Sequence, residues 1–236
     1  MGSTRLPGKA LTSIGVRPML DWVVRRSARA TLVDSVTVAT TLDGRDDLIT
    51  AFCDESGYPV FRGSEEDVLD RYWKATEATR ADAIVRITSD CPLIDPEVID
   101  LTVAGFLSNG GDVDYASNTL EPRTYPRGLD VEVFSRAALE RAWREDLKPE
   151  SREHVTPYMY RTTGLFRTLR VAASADYSDH RWTVDTPEDL AFARAVYDEF
   201  PDGEFGYREV LGFLSSHPEI RLLNAGIKQK VIRVKP

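Results

Sequence analysis

The segment that decides the fold is Ile84-Val85-Arg86-Ile87-Thr88-Ser89-Asp90-Cys91-Pro92-Leu93-Ile94-Asp95. It begins as an apolar run, passes into a polar turn that carries Asp90, and ends at Asp95-Pro96, where a helix can start with Asp95 as its N-cap. A strand that runs straight into a turn and a helix is typical of open α/β sheets, in which ligands bind beyond the carboxyl ends of the strands.

The same alternation of strands and helices extends to both sides of this segment. Strands are predicted at 35–41, 58–61, 83–88 and 181–184, and helices at 18–30, 48–55, 64–75, 95–110, 186 onwards and, as the last one, 206–215. This spacing predicts an α/β fold with a Rossmann-like, mostly parallel sheet covered by helices on both faces.

The middle of the chain, residues 112–173, does not follow this alternation of strands and helices. Extended pieces at 114–117, 130–134 and 166–171 surround one helix that begins at Ser135 and another near 151–160. We interpret this part as an excursion with antiparallel strands that provides acceptor and dimer contacts. Because no linker, internal repeat or low-complexity segment interrupts the sequence, we expect residues 1–236 to form a single domain.

Composition excludes several classes of partner. The chain has 236 residues, a hydrophobic fraction of 42% and a formal net charge of −8. A negative balance disfavours a nucleic-acid surface, which requires clustered cations. No apolar run approaches the roughly 18 residues that a membrane span needs, and the start lacks the apolar core of a signal peptide, so we expect a cytoplasmic protein without a membrane partner.

The first residues carry the features of a phosphate-binding loop. Gly2, Ser3 and Thr4 provide flexible backbone N–H groups and hydroxyls, and Arg5 and Lys9 provide positive charge. An ordinary basic, turn-rich N-terminus is the alternative. If the loop does bind a nucleoside triphosphate, Arg5 and Lys9 are expected to hold its β- and γ-phosphates and to stabilise the departing pyrophosphate.

Two carboxylates follow predicted strands at the same edge of the sheet. Asp90 ends the strand quoted above, and Asp185 ends the strand at 181–184. Each one, taken alone, could be a turn or capping residue. Together they predict a Mg²⁺ site with two protein carboxylates, in which water and substrate phosphates complete the coordination.

Other side chains are candidates for binding the nucleotide base and the acceptor. Thr40, at the end of the strand at 35–41, and Arg62 are predicted to line the base and ribose pocket, which suits a small pyrimidine. Arg123 and Arg127 suit a carboxylate or phosphate on the acceptor, although a solvated surface pair is equally open. His154 either contacts the acceptor or packs as an ordinary helix residue.

Cysteine chemistry is not expected to contribute. Cys53 and Cys91 form neither a metal-ligand spacing nor a disulfide framework. Cys91 adjoins Asp90, but no matching His and Asn arrangement supports a nucleophilic thiol. Attack of an acceptor oxygen on the α-phosphorus of a nucleotide requires charge neutralisation and positioning rather than a covalent nucleophile.

Six motifs, in order, resemble the cytidylyltransferases of the CMP-KDO synthetase type, and most closely the cytidylyltransferase-like family of spore-coat polysaccharide biosynthesis. They occupy residues 1–9, 61–69, 88–94, 126–134, 153–158 and 184–190. The resemblance implies a nucleotide-diphospho-sugar transferase-like fold, the transfer of CMP from CTP to an acidic sugar or phosphorylated acceptor, Mg²⁺ dependence and a homodimer. It also places Glu132, within 126–134, among the acceptor-binding residues.

One departure from this family concerns the start of the sequence. Family members carry an apolar strand and a further Arg before the loop, whereas this sequence starts at the loop itself. Either the first strand is missing, or the native protein begins upstream of Met1, which is the alternative we expect. Two other functions stay open. One is a nucleotidyltransferase that uses another nucleoside triphosphate, and the other is a non-catalytic nucleotide-binding or scaffold protein that lost its activity with the first strand.

Overall fold

The predicted α/β architecture is confirmed by the structure. The computed structural model describes residues 6–109 and 111–228. The strands are β1 Ser13–Ile14, β2 Arg17–Pro18, β3 Val38–Thr41, β4 Val60–Gly63, β5 Ala83–Arg86, β6 Tyr115–Ser117, β7 Glu132–Ser135 and β8 Thr168–Arg170. The helices are α1 Met19–Ser27, α2 Asp47–Ser56, α3 Val68–Thr79, α4 Pro96–Leu107, α5 Arg136–Glu145, α6 Pro149–His154, α7 Pro157–Arg161, α8 Pro187–Glu199, α9 Tyr207–Ser216 and α10 Pro218–Leu222.

The strands form three sheets. β3 and β4 are a parallel pair, β1 and β2 are a short antiparallel pair, and the largest sheet has the order β5-β7-β6-β8. In that sheet β7 is antiparallel to both β5 and β6, whereas β8 is parallel to β6. The strands of the predicted excursion therefore continue the sheet that contains β5. This sheet therefore contains both antiparallel and parallel strand pairs.

Local sequence signals set most of the helix boundaries. Asp95 accepts a hydrogen bond from the Glu97 backbone N–H and starts α4, with Pro96 at its first position. Thr186 and Asp189 form a reciprocal capping box at the start of α8. Gly57 ends α2 with a φ of 71°, a conformation that glycine adopts without steric strain.

Four predicted elements are wrong in type or extent. The segment 181–184 is extended but has only an isolated bridge to Arg127, because its backbone bonds to loops rather than to a strand. The predicted helix at 151–160 is divided into α6 and α7, since Val155 has a φ of 72° and Pro157 begins the next helix. The helix predicted from residue 64 begins at Val68 with Asp67 as its cap. The helix at 206–215 is followed by α10, so it is not the last one.

The main core lies between the largest sheet and helices α1, α4, α8 and α9. Buried apolar residues of this core include Trp22, Ile99, Val133, Phe192 and Val210. Burying such side chains stabilises a fold by about 1.5–3 kcal/mol each. A second cluster packs α3 and α5 against the other face of the sheet. There the rings of Trp73 and Trp143 stack with their centroids 5.5 Å apart. This two-sided packing fixes the loops that follow β5 and precede α8.

Candidate active site

The two predicted metal-binding carboxylates lie close together, and both bind the same lysine. The Lys9 Nζ atom is 3.1 Å from Asp90 Oδ2 and 2.9 Å from Asp185 Oδ1. It also donates to the backbone carbonyl of Val184 at 3.0 Å. The two carboxylate oxygens are therefore no more than about 6 Å apart. Three oxygens converge on one cation.

This lysine is held in its charged form. Burial alone would lower the pKa of Lys9, but the charges and hydrogen bonds of Asp90 and Asp185 outweigh burial and raise that pKa above its ordinary value. Lys9 lies in a short 3-10 helix, Lys9–Leu11, which begins after Gly8 in the left-handed conformation. The sequence predicted phosphate binding for Lys9. Its ammonium here contacts the carboxylates, and its contact with phosphate stays a prediction.

Backbone hydrogen bonds join the two loops that carry these carboxylates. The Asp90 carbonyl accepts from the Val184 N–H at 2.8 Å and from the Thr183 hydroxyl at 3.2 Å. On its other side, Asp90 accepts a short hydrogen bond of 2.5 Å from the Thr88 hydroxyl. These contacts set the spacing of the two carboxylates.

Arg181 and Asp189 fix the position of Asp185 through hydrogen bonds. Arg181 Nη2 donates to Asp185 Oδ2 at 3.0 Å, and the same guanidinium makes two bonds to the fully buried Asp189. Asp189 Oδ2 also accepts from the Asp185 backbone N–H at 3.0 Å. Arg181 was not among the predicted site residues, because its side-chain contacts with Asp185 and Asp189 have no local signal in the sequence.

The donor set fits a divalent cation. Mg²⁺ prefers oxygen ligands, and the Lys9 ammonium shows that a cation is accommodated between Asp90 and Asp185. Within residues 6–109 and 111–228, no group of three or more His, Cys, Asp or Glu side chains could hold a metal by itself. A metal at this position would therefore take its remaining ligands from water and from a substrate.

Cys91 does not contribute a nucleophile. Its side chain is 2% exposed and lies beside Thr88 and Asp90. Burial, followed by the charge of Asp90, raises the pKa of the Cys91 thiol well above its ordinary value. A protonated, inaccessible thiol lacks the thiolate that nucleophilic chemistry needs.

The two candidate nucleotide residues are neighbours across the parallel pair β3-β4. Thr40 lies opposite Arg62 in the register. Arg62 donates to the carbonyls of Thr41 and Asp43 at 2.8 and 3.0 Å and forms an ion pair with Asp47. Arg62 therefore shapes the loop after β3, and its contact with a nucleotide stays a prediction. Gly2, Ser3, Thr4 and Arg5 lie outside the described residues.

The four candidate acceptor residues divide into two groups. Arg123 forms a bidentate ion pair with Asp130, and Arg127 follows Arg123 in the same loop. Glu132 is buried and accepts hydrogen bonds from Arg86, from Tyr115 and from Thr156 near His154. In the part of the chain that the structure describes, no hydrogen bond or ion pair joins the two groups. Their acceptor role stays a prediction.

Gly128 allows the Arg127 loop to approach the segment that leads to Asp185. Its φ is 103°, and a Cβ atom there would lie 2.5 Å from the Thr183 backbone nitrogen. The Arg127 carbonyl accepts from the Trp182 N–H at 2.6 Å. Only glycine fits this close contact without a shift of the backbone.

Comparison with known proteins assigns this arrangement to a family. A family model described as cytidylyltransferase matches residues 1–210. The chain belongs to the cytidylyltransferase family. The candidate site residues Lys9, Asp90 and Asp185 all lie within the matched region, as do the loops that carry them.

Individual relatives match over most of the chain. Spore coat polysaccharide biosynthesis protein SpsF of Bacillus subtilis is 34% identical, over 93% of this chain and 92% of its own length. A 3-deoxy-manno-octulosonate cytidylyltransferase of Pelobacter propionicus is 32% identical, over 84% of this chain and 86% of its own. The solved structure of a cytidylyltransferase from Leptospira borgpetersenii is 35% identical, has a TM-score of 0.91, and covers 97% of this chain and 95% of that one.

These matches confirm the resemblance and the fold expected from the six motifs. The architecture is that of the nucleotide-diphospho-sugar transferase type. A separate structural observation concerns membranes. None of the described helices is long and apolar enough to cross one.

Proposed function

We propose that this cytidylyltransferase transfers CMP from CTP to a small acidic acceptor, a sugar acid or a phosphorylated compound, and releases pyrophosphate. The observation that carries the proposal is the convergence of Asp90, Asp185 and Lys9 on one point beyond the end of β5. The relatives named above support the nucleotide and the sugar-acid class, since one acts in spore coat polysaccharide biosynthesis and another on 3-deoxy-manno-octulosonate.

The reaction forms one bond to the α-phosphorus and breaks another, and the attacking hydroxyl loses its proton. A hydroxyl oxygen of the acceptor attacks the α-phosphorus of CTP, the bond from that phosphorus to the β-phosphate bridging oxygen breaks, and the hydroxyl proton is lost to solvent. The site must neutralise the triphosphate and align the attacking oxygen with the leaving pyrophosphate. A bound Mg²⁺ would supply charge neutralisation at the phosphates.

The residues of this chain prepare the site for that task. Asp90 and Asp185 would hold the metal, and Arg181 together with Asp189 fixes the position of Asp185. Lys9 lies within reach of the same carboxylates and would turn to the phosphates when a metal takes its place. Arg5 would add a second positive charge from the same loop. We also propose that the protein is a homodimer located in the cytoplasm.

A screen for pyrophosphate release tests this function. The full chain is incubated with CTP, Mg²⁺ and a panel of sugar acids, sugar phosphates and phosphonates. We expect pyrophosphate in the presence of one acidic class and none without an acceptor. Binding of CTP without turnover across the panel would support a non-catalytic protein, and preference for another nucleoside triphosphate would overturn the assignment to CTP.

A further inference from the structure

A cavity of about 220 Å³ lies against the extended segment that leads to Asp185. Its walls come from this segment, from the Arg127 loop, from α8, from α10 and from the chain after α10. The charged residues that line it are Arg127, Asp179, Arg181 and Arg221. Neither Lys9 nor Asp90 lines the cavity, so it is distinct from the point where the carboxylates converge.

Two of these arginines are already paired with carboxylates. Arg221 forms an ion pair with Asp179, and Arg181 forms ion pairs with Asp185 and Asp189. Arg127 differs from them. Across residues 6–109 and 111–228, nothing accepts a hydrogen bond from its guanidinium and no carboxylate pairs with it.

The position of Arg127 is nevertheless fixed. Its backbone N–H donates to the His180 carbonyl at 3.0 Å, and its carbonyl accepts from the Trp182 N–H at 2.6 Å. Gly128 then brings the next peptide against Thr183. The backbone is therefore held at the cavity wall, and it carries a half-buried guanidinium that forms no ion pair with the described residues.

The electrostatic surroundings disfavour the charge on Arg127. Burial, and next the charge of Arg123, lowers the pKa of Arg127 below its ordinary value. Asp130 and, more weakly, Glu121 act on it favourably, but both Asp130 oxygens already bind the Arg123 guanidinium and Glu121 accepts from the Arg123 backbone N–H. A half-buried charge of this kind is stabilised when an opposite charge is bound beside it.

We propose that this cavity binds a small oxyanion, a phosphate or carboxylate group, with the Arg127 guanidinium as its principal donor. The planar guanidinium fork matches both groups. The volume lies below the roughly 300 Å³ at which drug-sized ligand pockets begin, which favours a single acidic group over a nucleotide. Arg181 lines the cavity and also donates to Asp185 at 3.0 Å, so a bound anion acts electrostatically on the metal-binding carboxylate.

Binding of inorganic phosphate to the nucleotide-free and metal-free full chain tests this site. The measurement is calorimetric titration, and it does not depend on the proposed function. Because phosphate can also bind near Lys9, wild type is compared with Arg127→Gln, Arg127→Lys and Lys9→Gln. Arg45→Gln is the control, since Arg45 is an exposed arginine paired with Asp43 and Glu65.

We expect Arg127→Gln to weaken phosphate binding at one site by about tenfold or more, and Arg127→Lys to weaken it less because the charge is kept. Lys9→Gln and Arg45→Gln should keep that site. Thermal unfolding without phosphate verifies that each variant is folded. Equal phosphate binding by wild type and Arg127→Gln, with all binding lost in Lys9→Gln, would overturn the proposal.

A kinetic experiment distinguishes the two sources of the anion. This experiment rests on the proposed function and uses phosphate as an inhibitor of the transfer to the acceptor found in the screen. Competition with the acceptor identifies the cavity as the subsite for the acidic group of the acceptor. A change in kcat at an unchanged acceptor KM identifies a separate anion that acts through Arg181. No effect of phosphate on wild type at concentrations that fill the calorimetric site would contradict any coupling to Asp185.

Discussion

Lys9 and Asp185, which are 176 positions apart in the chain, are joined by a hydrogen bond of 2.9 Å. The same ammonium contacts Asp90, so its single positive charge partly offsets the charges of the two carboxylates. Both side chains are mostly buried, at 16% and 15% exposure for Lys9 and Asp185. A partly buried pair of this kind is screened less by solvent than a surface pair.

The first prediction concerns competition between Lys9 and a metal. Lys9→Gln removes the internal cation and leaves two carboxylates facing each other, so we expect Mn²⁺ to bind about tenfold more tightly in the absence of nucleotide. Electron paramagnetic resonance measures free Mn²⁺ directly. Lys74→Gln is the control, because this exposed lysine pairs with Asp70 on α3. Unchanged Mn²⁺ affinity in Lys9→Gln would show that the ammonium and the metal do not share this site.

The second prediction concerns the choice of nucleotide. Arg62 fixes the carbonyls of Thr41 and Asp43, and thereby the shape of the loop beyond β3. We expect CTP to bind more tightly than GTP in the presence of Mg²⁺, and Arg62→Gln to weaken CTP binding because this loop loses its support. Calorimetric titration measures both nucleotides. Equal or tighter GTP binding would contradict a cytidine pocket.

The third prediction concerns Gly128. Gly128→Ala combines a left-handed backbone with a contact of 2.5 Å to the Thr183 nitrogen, so we expect a loss of at least about 3 kcal/mol in the free energy of unfolding. Gly57→Ala is the matched control, since its φ is 71° but nothing lies within 4 Å of the added Cβ. That variant should lose only about 1–2 kcal/mol. Chemical denaturation measures both, and equal losses would refute the close approach.

The fourth prediction concerns the dependence of stability on pH. Burial alone would raise the pKa of Asp189, but hydrogen bonds from Arg181 and Asn224 outweigh it and lower that pKa below its ordinary value of 3.8. A carboxyl group with a lowered pKa stabilises the fold above its ordinary pKa, and this contribution disappears as the pH falls below about 3.8 towards the folded-state pKa.

Asp189→Asn should therefore destabilise the protein at pH 7, by about 3 kcal/mol, because Arg181 loses its buried partner. Below pH 4 the difference from wild type should shrink. Denaturation at a series of pH values measures this trend. Asp198→Asn, an exposed position on the same helix, is the control and should leave the profile unchanged. A difference that is constant across the pH range would contradict the ion pair.

Much of the fold follows from local sequence signals. The caps at Asp95 and Thr186 were predictable because a short polar side chain before proline specifies a helix start within a few residues. The strand predicted at 181–184 was wrong for a non-local reason. Its backbone partners are Arg127 and Asp90, which lie in loops that periodicity does not reveal.

The candidate site was predictable in part. Asp90 and Asp185 could be placed at one edge of the sheet because each follows an extended apolar run. The roles of Arg181 and Asp189 as supports, and the position of Lys9 between the carboxylates, depend on side-chain contacts across distant parts of the chain. Such contacts have no local signal in a single sequence.

The rate of pyrophosphate release from CTP in wild type, Asp185→Asn and Asp112→Asn tests the central claim most directly. Asp112 is an exposed carboxylate paired with Arg167, away from Lys9 and Asp90, so its variant controls for the loss of one negative charge. We predict that Asp185→Asn lowers turnover by about 10² or more while the fold is retained, and that Asp112→Asn stays close to wild type. Turnover by folded Asp185→Asn within about twofold of wild type would contradict the assignment of this carboxylate pair as the catalytic centre.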